Sequence, residues 1–434
     1  MMKTLTLALV AVGAIGLAVA TAQAQTLTWW HHMPLEGAQG KLFQKYATEF
    51  EAANPGVKIE IHSVPPTQYF TMLSATLAAG DAPDILGMSY RNFSEFHDNR
   101  ILSPIDAQAL RSMGFSTVND LKAAYSPGVL DPYRVGDSFY AVPWQFNIYA
   151  YIINAKHFRE AGLDPAKDAP KTWDEVFHVA QKLVQKDASG RITRQALSFP
   201  FTHDAAWFLL ELEPVIHDLG SSILNNDRTE ALINNEAGVR AMKLVKKRFE
   251  LGVSDKNIAA GLDYFNQGFP TGKFSMIVGG NWGIPRWRKE YAATVGKDDL
   301  LAIPYPTFSG KPAVASTTSW AWVVYARSTK KDLAWRFANF LTSQPSRNLI
   351  ETGDIVPRAG WSQTEGARTV PQAAFWEQQL QFARPLANFP RYSRVADVLK
   401  KAMEEILLLD RDIQKTLDRA KTNIDAILQE GKKK

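Results

Sequence analysis

Beyond residue 25 the apolar and polar positions change period several times, and each change marks an element. LTWW, Leu27 to Trp30, is an apolar run of strand length. KLFQKYATEFEAA then sets Leu42, Phe43, Tyr46 and Phe50 three and four residues apart, the spacing of one helix face. NPG breaks that pattern, and VKIEIHSV alternates at period two, which predicts a second strand. Strand, helix and strand at this spacing predict a βαβ unit with parallel strands. QYFTMLSATLAAG reads as a helix closed by Gly80 and DAPDILGM as a third strand, so the chain opens as an α/β sheet.

The alternation continues. DSFYAVPWQFNIYAYIINAKHF reads as two extended halves separated at Pro143-Trp144. In KTWDEVFHVAQKL, Thr172 and Glu175 stand three apart, the capping-box arrangement at a helix start. A second α/β region runs to about residue 313 and includes a buried strand, FSMIV, that ends in Gly-Gly-Asn-Trp. YPTFSGKPAVASTTSWAWVVYA is extended, DLAWRFANFLTSQPSRNLIETG is a helical pair, and the stretch from about Val395 to Gln429 is helical. Single cores stop growing at about 250–300 residues, so 434 residues predict two domains.

Composition adds the compartment. MMKTLTLALVAVGAIGLAVATAQAQ has one early cation, an apolar run from Leu5 to Ala20, and then Ala22-Gln23-Ala24, the small-x-small pattern of a cleaved leader. Residues 1–24 are therefore expected to be a signal peptide, the apolar run being shorter than the roughly 20 residues of a spanning helix. With no cysteine, disulfides, thiol catalysis, cysteine-based metal sites and a lipoprotein anchor are all excluded, and the expected location is the periplasm. The formal charge of +5 is spread along the chain, so no nucleic-acid surface is indicated.

Open α/β sheets bind ligands at the carboxyl ends of their strands, where loops diverge and helix N-termini present N–H groups. Trp30, His31 and His32 stand at that end of the first strand, and Met88 to Arg91 at that end of the third.

Several stretches, taken in order, resemble the family 1 extracellular solute-binding proteins of ABC importers, the maltose-binding-protein-like group: FEAANPGVKIEI, LAAGDAPDIL, YAVPWQFNIYAYIINAKHFREAGLDPAKDAPKTWDE, GKFSMIVGGNW, TTSWAWVV followed by AWRFANFL, and ETGDIVPR. The resemblance implies a two-lobed, type II-like periplasmic-binding-protein fold of class α/β, with a ligand cleft between lobes and hinge crossovers near Pro143–Asn147, Ala313–Thr317 and Gly360. It implies one lobe of residues 26–143 with 317–361 and another of 147–313 with 362–434. It also implies a monomer that closes on a sugar and delivers it to membrane permease subunits, without a cofactor.

A sugar offers C–H faces to aromatic rings and a rim of hydroxyls to polar side chains. Trp30, Trp144, Trp282 and Trp320 fall at strand ends or implied crossovers and are candidates for the rings, although large aromatics most often fill cores. Trp207 is read toward the site, whereas Trp173 and Trp335 sit within helical patterns and read as core. The polar candidates are His31, His32, Glu36, Tyr69, Ser89, Tyr90, Arg91, Asn147, Tyr149, Asn281 and Arg358; Asp84, ahead of a buried strand, reads as structural. Adjacent strand residues point to opposite sides, and no HExxH or HxH spacing is present, so His31 and His32 do not predict a metal site.

Two other readings remain. A glycoside hydrolase needs two facing carboxylates, about 5–5.5 or about 6.5–9.5 Å apart. Glu36, Asp84 and Asp204 are available but lie in no hydrolase-like motif, and neither GxSxG nor a P-loop appears, so a non-enzyme is expected. The other reading keeps the receptor and changes the ligand: WHHMPLEGAQGK resembles the opening of receptors for glycerol phosphate or its diesters, and such a phosphate would want Arg91 or Arg358.

Overall fold

The computed structural model describes residues 25–430 apart from 66–67, 204 and 389–390, with the backbone alone described at 258–260 and 393. The expected leader and Asp204 therefore lie outside the described residues.

Strands β1 (Gln25–His31), β2 (Val57–Ser63) and β3 (Ile85–Ser89) form where periodicity predicts them. β1 runs parallel to both its neighbours. Helix α1 (Ala38–Ala53) joins β1 to β2 and buries Leu42, Phe43, Tyr46 and Phe50. Helix α2 (Tyr69–Ala79) joins β2 to β3 and stops at Gly80, whose φ of 80° is the left-handed cap that glycine adopts without strain. Helix α3 (Tyr90–Asp98) leaves the end of β3.

Further along come the hairpin β4 (Arg134–Val135) and β5 (Ser138–Phe139), then β6 (Val142–Asn154), β7 (Gln185–Lys186), β8 (Ile192–Leu197), β9 (Phe274–Gly280), β10 (Leu300–Ile303), β11 (Ala315–Val324) and β12 (Ala383–Pro385). The main sheet runs β2-β1-β3-β11-β6-β9-β8-β7, with β10 added to β6 and β12 to β11. Two strands serve both halves of it. Val142 to Ile148 of β6 pair with β11, whereas Tyr149 to Ile153 pair with β9. Trp320 to Val324 of β11 pair with β3, and Ala315 to Thr317 pair with β12. A third passage between the halves is marked by the isolated bridges Phe146–Ile355 and Tyr125–Arg358.

Pro143-Trp144 does not divide its segment, because β6 runs unbroken through both residues. Opposite them the register with β11 shifts, Gln145 facing Trp320 and Pro143 facing Ala321. Trp144 is thus the extra residue of a bulge, the place in a sheet where a proline without an N–H is tolerated.

One core packs Trp29, Phe43, Trp144, Trp322, Trp335 and Phe337 around the first half of the sheet. Another collects Phe265, Phe274, Ile277 and Trp287 in the second. A larger one joins Leu86, Met88 and Tyr90 of the first half to Tyr151, Ile153 and Phe199 of the second, so the halves touch through apolar side chains. Each fully buried side chain of this size contributes about 1.5–3 kcal/mol. Trp173 and Trp335 are buried as expected. The capping box forms, Glu175 N–H donating to Thr172 Oγ1 and Thr172 N–H to Glu175 Oε2. Asp84 is structural: it accepts from Thr28 N–H at 3.0 Å, Ser328 Oγ at 2.6 Å and Lys330 Nζ at 3.0 Å, tying β1 to the segment after β11. Burial raises its pKa, but these donors outweigh that and leave it lowered.

Candidate functional site

Strand alternation sorts the WWHH run. Trp29 and His31 turn into the first core, each 5.0 Å from the Phe43 ring. Trp30 and His32 turn the other way. Trp30 stacks on His62 at 5.6 Å, and Tyr69 Oη donates to the Trp30 carbonyl at 3.1 Å, fixing the strand end. His32 lies flat on Trp320 at 3.7 Å, and Phe70 stacks on the same indole at 5.8 Å. Burial lowers the pKa of His31 from 6.5 to about 4 and that of His32 to about 3, the charges of His31 and Arg91 adding to the second shift. Both rings are neutral near pH 7.

A second aromatic group forms around Tyr149 of β6, with Trp282 at 5.2 Å and Trp207 at 6.1 Å, both edge-on. Trp207 is carried by the helix Ala205–Asp218 and also packs on Phe265. The Gly-Gly-Asn-Trp turn explains how Trp282 gets there. A Cβ on Gly280 would stand 1.7 Å from the Trp282 ring, so the indole folds back over a strand end only glycine leaves bare.

Thr318 of β11 links the two groups. Asn147 Nδ2 donates to its hydroxyl at 3.1 Å, and Tyr149 Oη lies 3.3 Å from it. Asn147 and Tyr149 share one face of β6, and Thr318 and Trp320 share one face of β11, so rings from both halves line the same side of the crossover strands. Asn281 extends the ladder, its Oδ1 accepting from Ile148 N–H at 2.8 Å. Three buried polar atoms here find no hydrogen-bond partner among the described residues: His32 Nδ1, Asn147 Oδ1 and Asn281 Nδ2. Leaving such atoms unpaired costs about 1–3 kcal/mol each.

Ser89, Tyr90 and Arg91 follow β3 as expected. Arg91 Nε donates to Ser89 Oγ at 3.4 Å, and its guanidinium lies 5.6 Å from the Tyr392 ring of the second half. Tyr90 Oη donates to the Leu386 carbonyl at 2.5 Å.

Four candidates go elsewhere. Trp144, the bulge residue, faces the first core, stacks on Trp322 at 5.1 Å and is 1% exposed. Arg358 is tied down far from the rings: Nε donates to the Thr342 carbonyl at 3.1 Å, Nη2 donates to Thr342 Oγ1 and to Asn339, and the guanidinium covers the Tyr125 ring at 4.4 Å. His31 is a core ring, and Glu36 is an exposed loop residue. Conversely, Phe70, Phe265, Thr318 and Tyr392 belong to the gathering and were not singled out. Phe70 lies inside a helical pattern, Tyr392 just ahead of one, Thr318 inside an extended run, and Phe265 carries no signal.

A cavity of about 1030 Å³ is lined by Phe146, Thr318 and Ser319 of the crossover strands together with Tyr90, Phe93, Trp361 and Leu380. None of the tryptophans at strand ends lines it; the rings and unpaired polar atoms that mark the candidate site meet it at Thr318.

Residues 34–347 match the family model for bacterial extracellular solute-binding proteins. The chain belongs to that family. This solute-binding protein is 24% identical over 398 residues to a binding protein of Brucella abortus, covering 90% of each chain. It is 29% identical over 293 residues to the sn-glycerol-3-phosphate-binding periplasmic protein of Escherichia coli, covering 64% of this chain and 62% of that one. Its fold matches a solute-binding protein of Thermotoga lettingae bound with α-D-tagatose, with a TM-score of 0.78 and 22% identity over 93% of this chain and 100% of the other. The solute-binding protein therefore has the two-lobed fold of that group. Among the described residues no helix is long and apolar enough to cross a membrane.

Proposed function

We propose that the protein is the periplasmic receptor of an ABC importer and holds a neutral sugar between lobes of residues 26–143 with 317–361 and 147–313 with 362–434. The observation that carries this reading is the series Trp320, Tyr149, Trp282 and Trp207 along one side of the crossover strands, interleaved with unpaired His32 Nδ1, Asn147 Oδ1 and Asn281 Nδ2. Rings take the sugar's C–H faces, and the polar atoms take its hydroxyls. Neutral His32 adds no charge, and Arg358 is committed to Asn339 and Thr342, which favours an uncharged guest over a phosphate. Trp30, Tyr69, Ser89, Tyr90 and Arg91 support the first-lobe wall. A guest touching both lobes stabilises the closed form by its differential affinity, and closed lobes together form the surface a permease engages. The receptor alters no bond in its solute and acts as a monomer.

Glycerol 3-phosphate is the second reading, favoured by the similarity to the Escherichia coli protein and by Arg91 beside the rings. Calorimetric titration with maltose, D-tagatose and sn-glycerol 3-phosphate at 20 and 500 mM salt separates the two. A neutral sugar binds equally at both, whereas a phosphate bound through Arg91 loses affinity as salt screens the pair. Binding of the phosphate alone, with strong salt dependence, would overturn the sugar reading.

A further inference from the structure

Three consecutive residues after β12 are tied to three different parts of the molecule. Leu386 N–H donates to the Thr317 carbonyl of the crossover strand β11 at 2.9 Å. Ala387 N–H donates to Glu213 Oε2 at 3.0 Å; Glu213 is 3% exposed, sits on the second-lobe helix Ala205–Asp218, and has His217 3.3 Å from its other oxygen. The remaining ties go to α3 of the first lobe: Tyr90 Oη donates to the Leu386 carbonyl at 2.5 Å, and Asn388 Nδ2 donates to the Tyr90 carbonyl at 2.9 Å with Ser94 Oγ 3.4 Å away. Tyr90 is 1% exposed, so its hydroxyl has no water to fall back on while the lobes are together. Four residues beyond Asn388, Tyr392 opens the helix Tyr392–Leu407 and meets the Arg91 guanidinium.

These ties differ in kind. Thr317 and Glu213 hold the segment to the hinge and to its own lobe, and hinge motion leaves both intact. The bonds of Tyr90 and Asn388 span the lobe boundary, so separation of the lobes must break them. We infer that Tyr90 and Asn388 are positioning residues that latch the Leu386–Asn388 segment, and with it Tyr392, against α3, and thereby set how long a bound solute is retained. The inference rests on the two-lobed receptor reading above and adds the residues that govern its release step. Each latch bond contributes about 1 kcal/mol to the closed form, which corresponds to roughly fivefold in dissociation.

The test uses the full mature chain, its Tyr90→Phe and Asn388→Ala variants and the double variant. Maltose, D-tagatose and sn-glycerol 3-phosphate serve as probes in stopped-flow tryptophan fluorescence, and the unliganded proteins are compared by small-angle X-ray scattering. The expected result is a dissociation rate about five times faster in each single variant, with association unchanged in Asn388→Ala, and an unliganded envelope of the double variant wider than that of the wild type. Retention of the wild-type dissociation rate in Asn388→Ala overturns the inference, as does slower association in place of faster release. If the wild type binds none of the probes, the receptor reading is what has failed. The scattering then decides alone: a wider unliganded envelope in the double variant supports the latch, and a profile matching the wild type overturns it.

Discussion

Lowering the pH from 7 to 5 should destabilise the protein through three histidines. His31, His32 and His157 are buried, and burial holds their pKa values at about 4, about 3 and about 4 instead of 6.5. For a base, a depressed folded pKa means that the native ring stays neutral while the unfolded ring takes up a proton. The stability is therefore full above 6.5 and is lost as the pH falls from there toward the folded values. Between pH 7 and 5 each unfolded imidazole gains about 2 kcal/mol that its native counterpart does not, or about 5–6 kcal/mol for the three. Asp354 opposes them. Burial pushes its carboxyl up to about 6 despite the bond from Gln145 Nε2 at 2.8 Å, so the native state takes up a proton in this window and regains about 1 kcal/mol. Glu211, whose carboxyl burial also pushes up, opposes them in the same direction, so the net loss is at most about 4 kcal/mol, still a large part of the about 5–15 kcal/mol by which domains are stable. Urea unfolding followed by tryptophan fluorescence at pH 7, 6 and 5 measures it. His157→Gln, which removes a ring packed beside Ser275 and away from the candidate site, should lose about 2 kcal/mol less over the same interval, and Asp354→Asn about 1 kcal/mol more. An unfolding free energy that is flat from pH 7 to 5, or a slope unchanged in His157→Gln, would refute the argument that burial keeps these rings neutral.

Further expectations concern the site and its surroundings. Trp320→Ala removes the ring on which His32 and Phe70 stack and should weaken solute binding about tenfold in calorimetry, through the loss of one aromatic face. Arg358→Met should cost about 2–3 kcal/mol in urea unfolding, because Thr342 and Asn339 lose their donor, while solute affinity stays at the wild-type value. Gly280→Ala forces Trp282 off its strand end and should lower both affinity and stability, the latter by about 1–3 kcal/mol; a variant that binds as the wild type would show that Trp282 does not touch the solute.

Elements were legible where burial is one-sided, because there the period of apolar residues reports the face that packs. α1, β2 and the capped helix Trp173–Leu183 all follow that rule. Pro143 reads as a break only when its partner strand is left out; the bulge that accommodates it is a property of β11 as much as of β6. The candidate site was legible to the extent that strand ends are legible: His32, Trp282 and Trp320, read from strand ends, stand along one side of the crossover strands with Tyr149. Which way a side chain points depends on register, and register is not written locally. One residue of bulge sends Trp144 into the core, and alternation sends His31 away from His32. Arg358 shows the other limit: its partners Asn339 and Thr342 lie close in the chain, but only the folded segment reveals that its donors are already used.

The position of β11 bears on how the molecule is made. It lies between β3, which ends at Ser89, and β6, which ends at Asn154, but begins only at Ala315, so the sheet lacks a middle rung until about three quarters of the polypeptide is present. Pairing over such separations closes large loops before it is rewarded, which slows folding. A fragment ending before Ala315 would leave the facing edges of β3 and β6 unpaired, so neither lobe should be obtainable by simply cutting the chain between them.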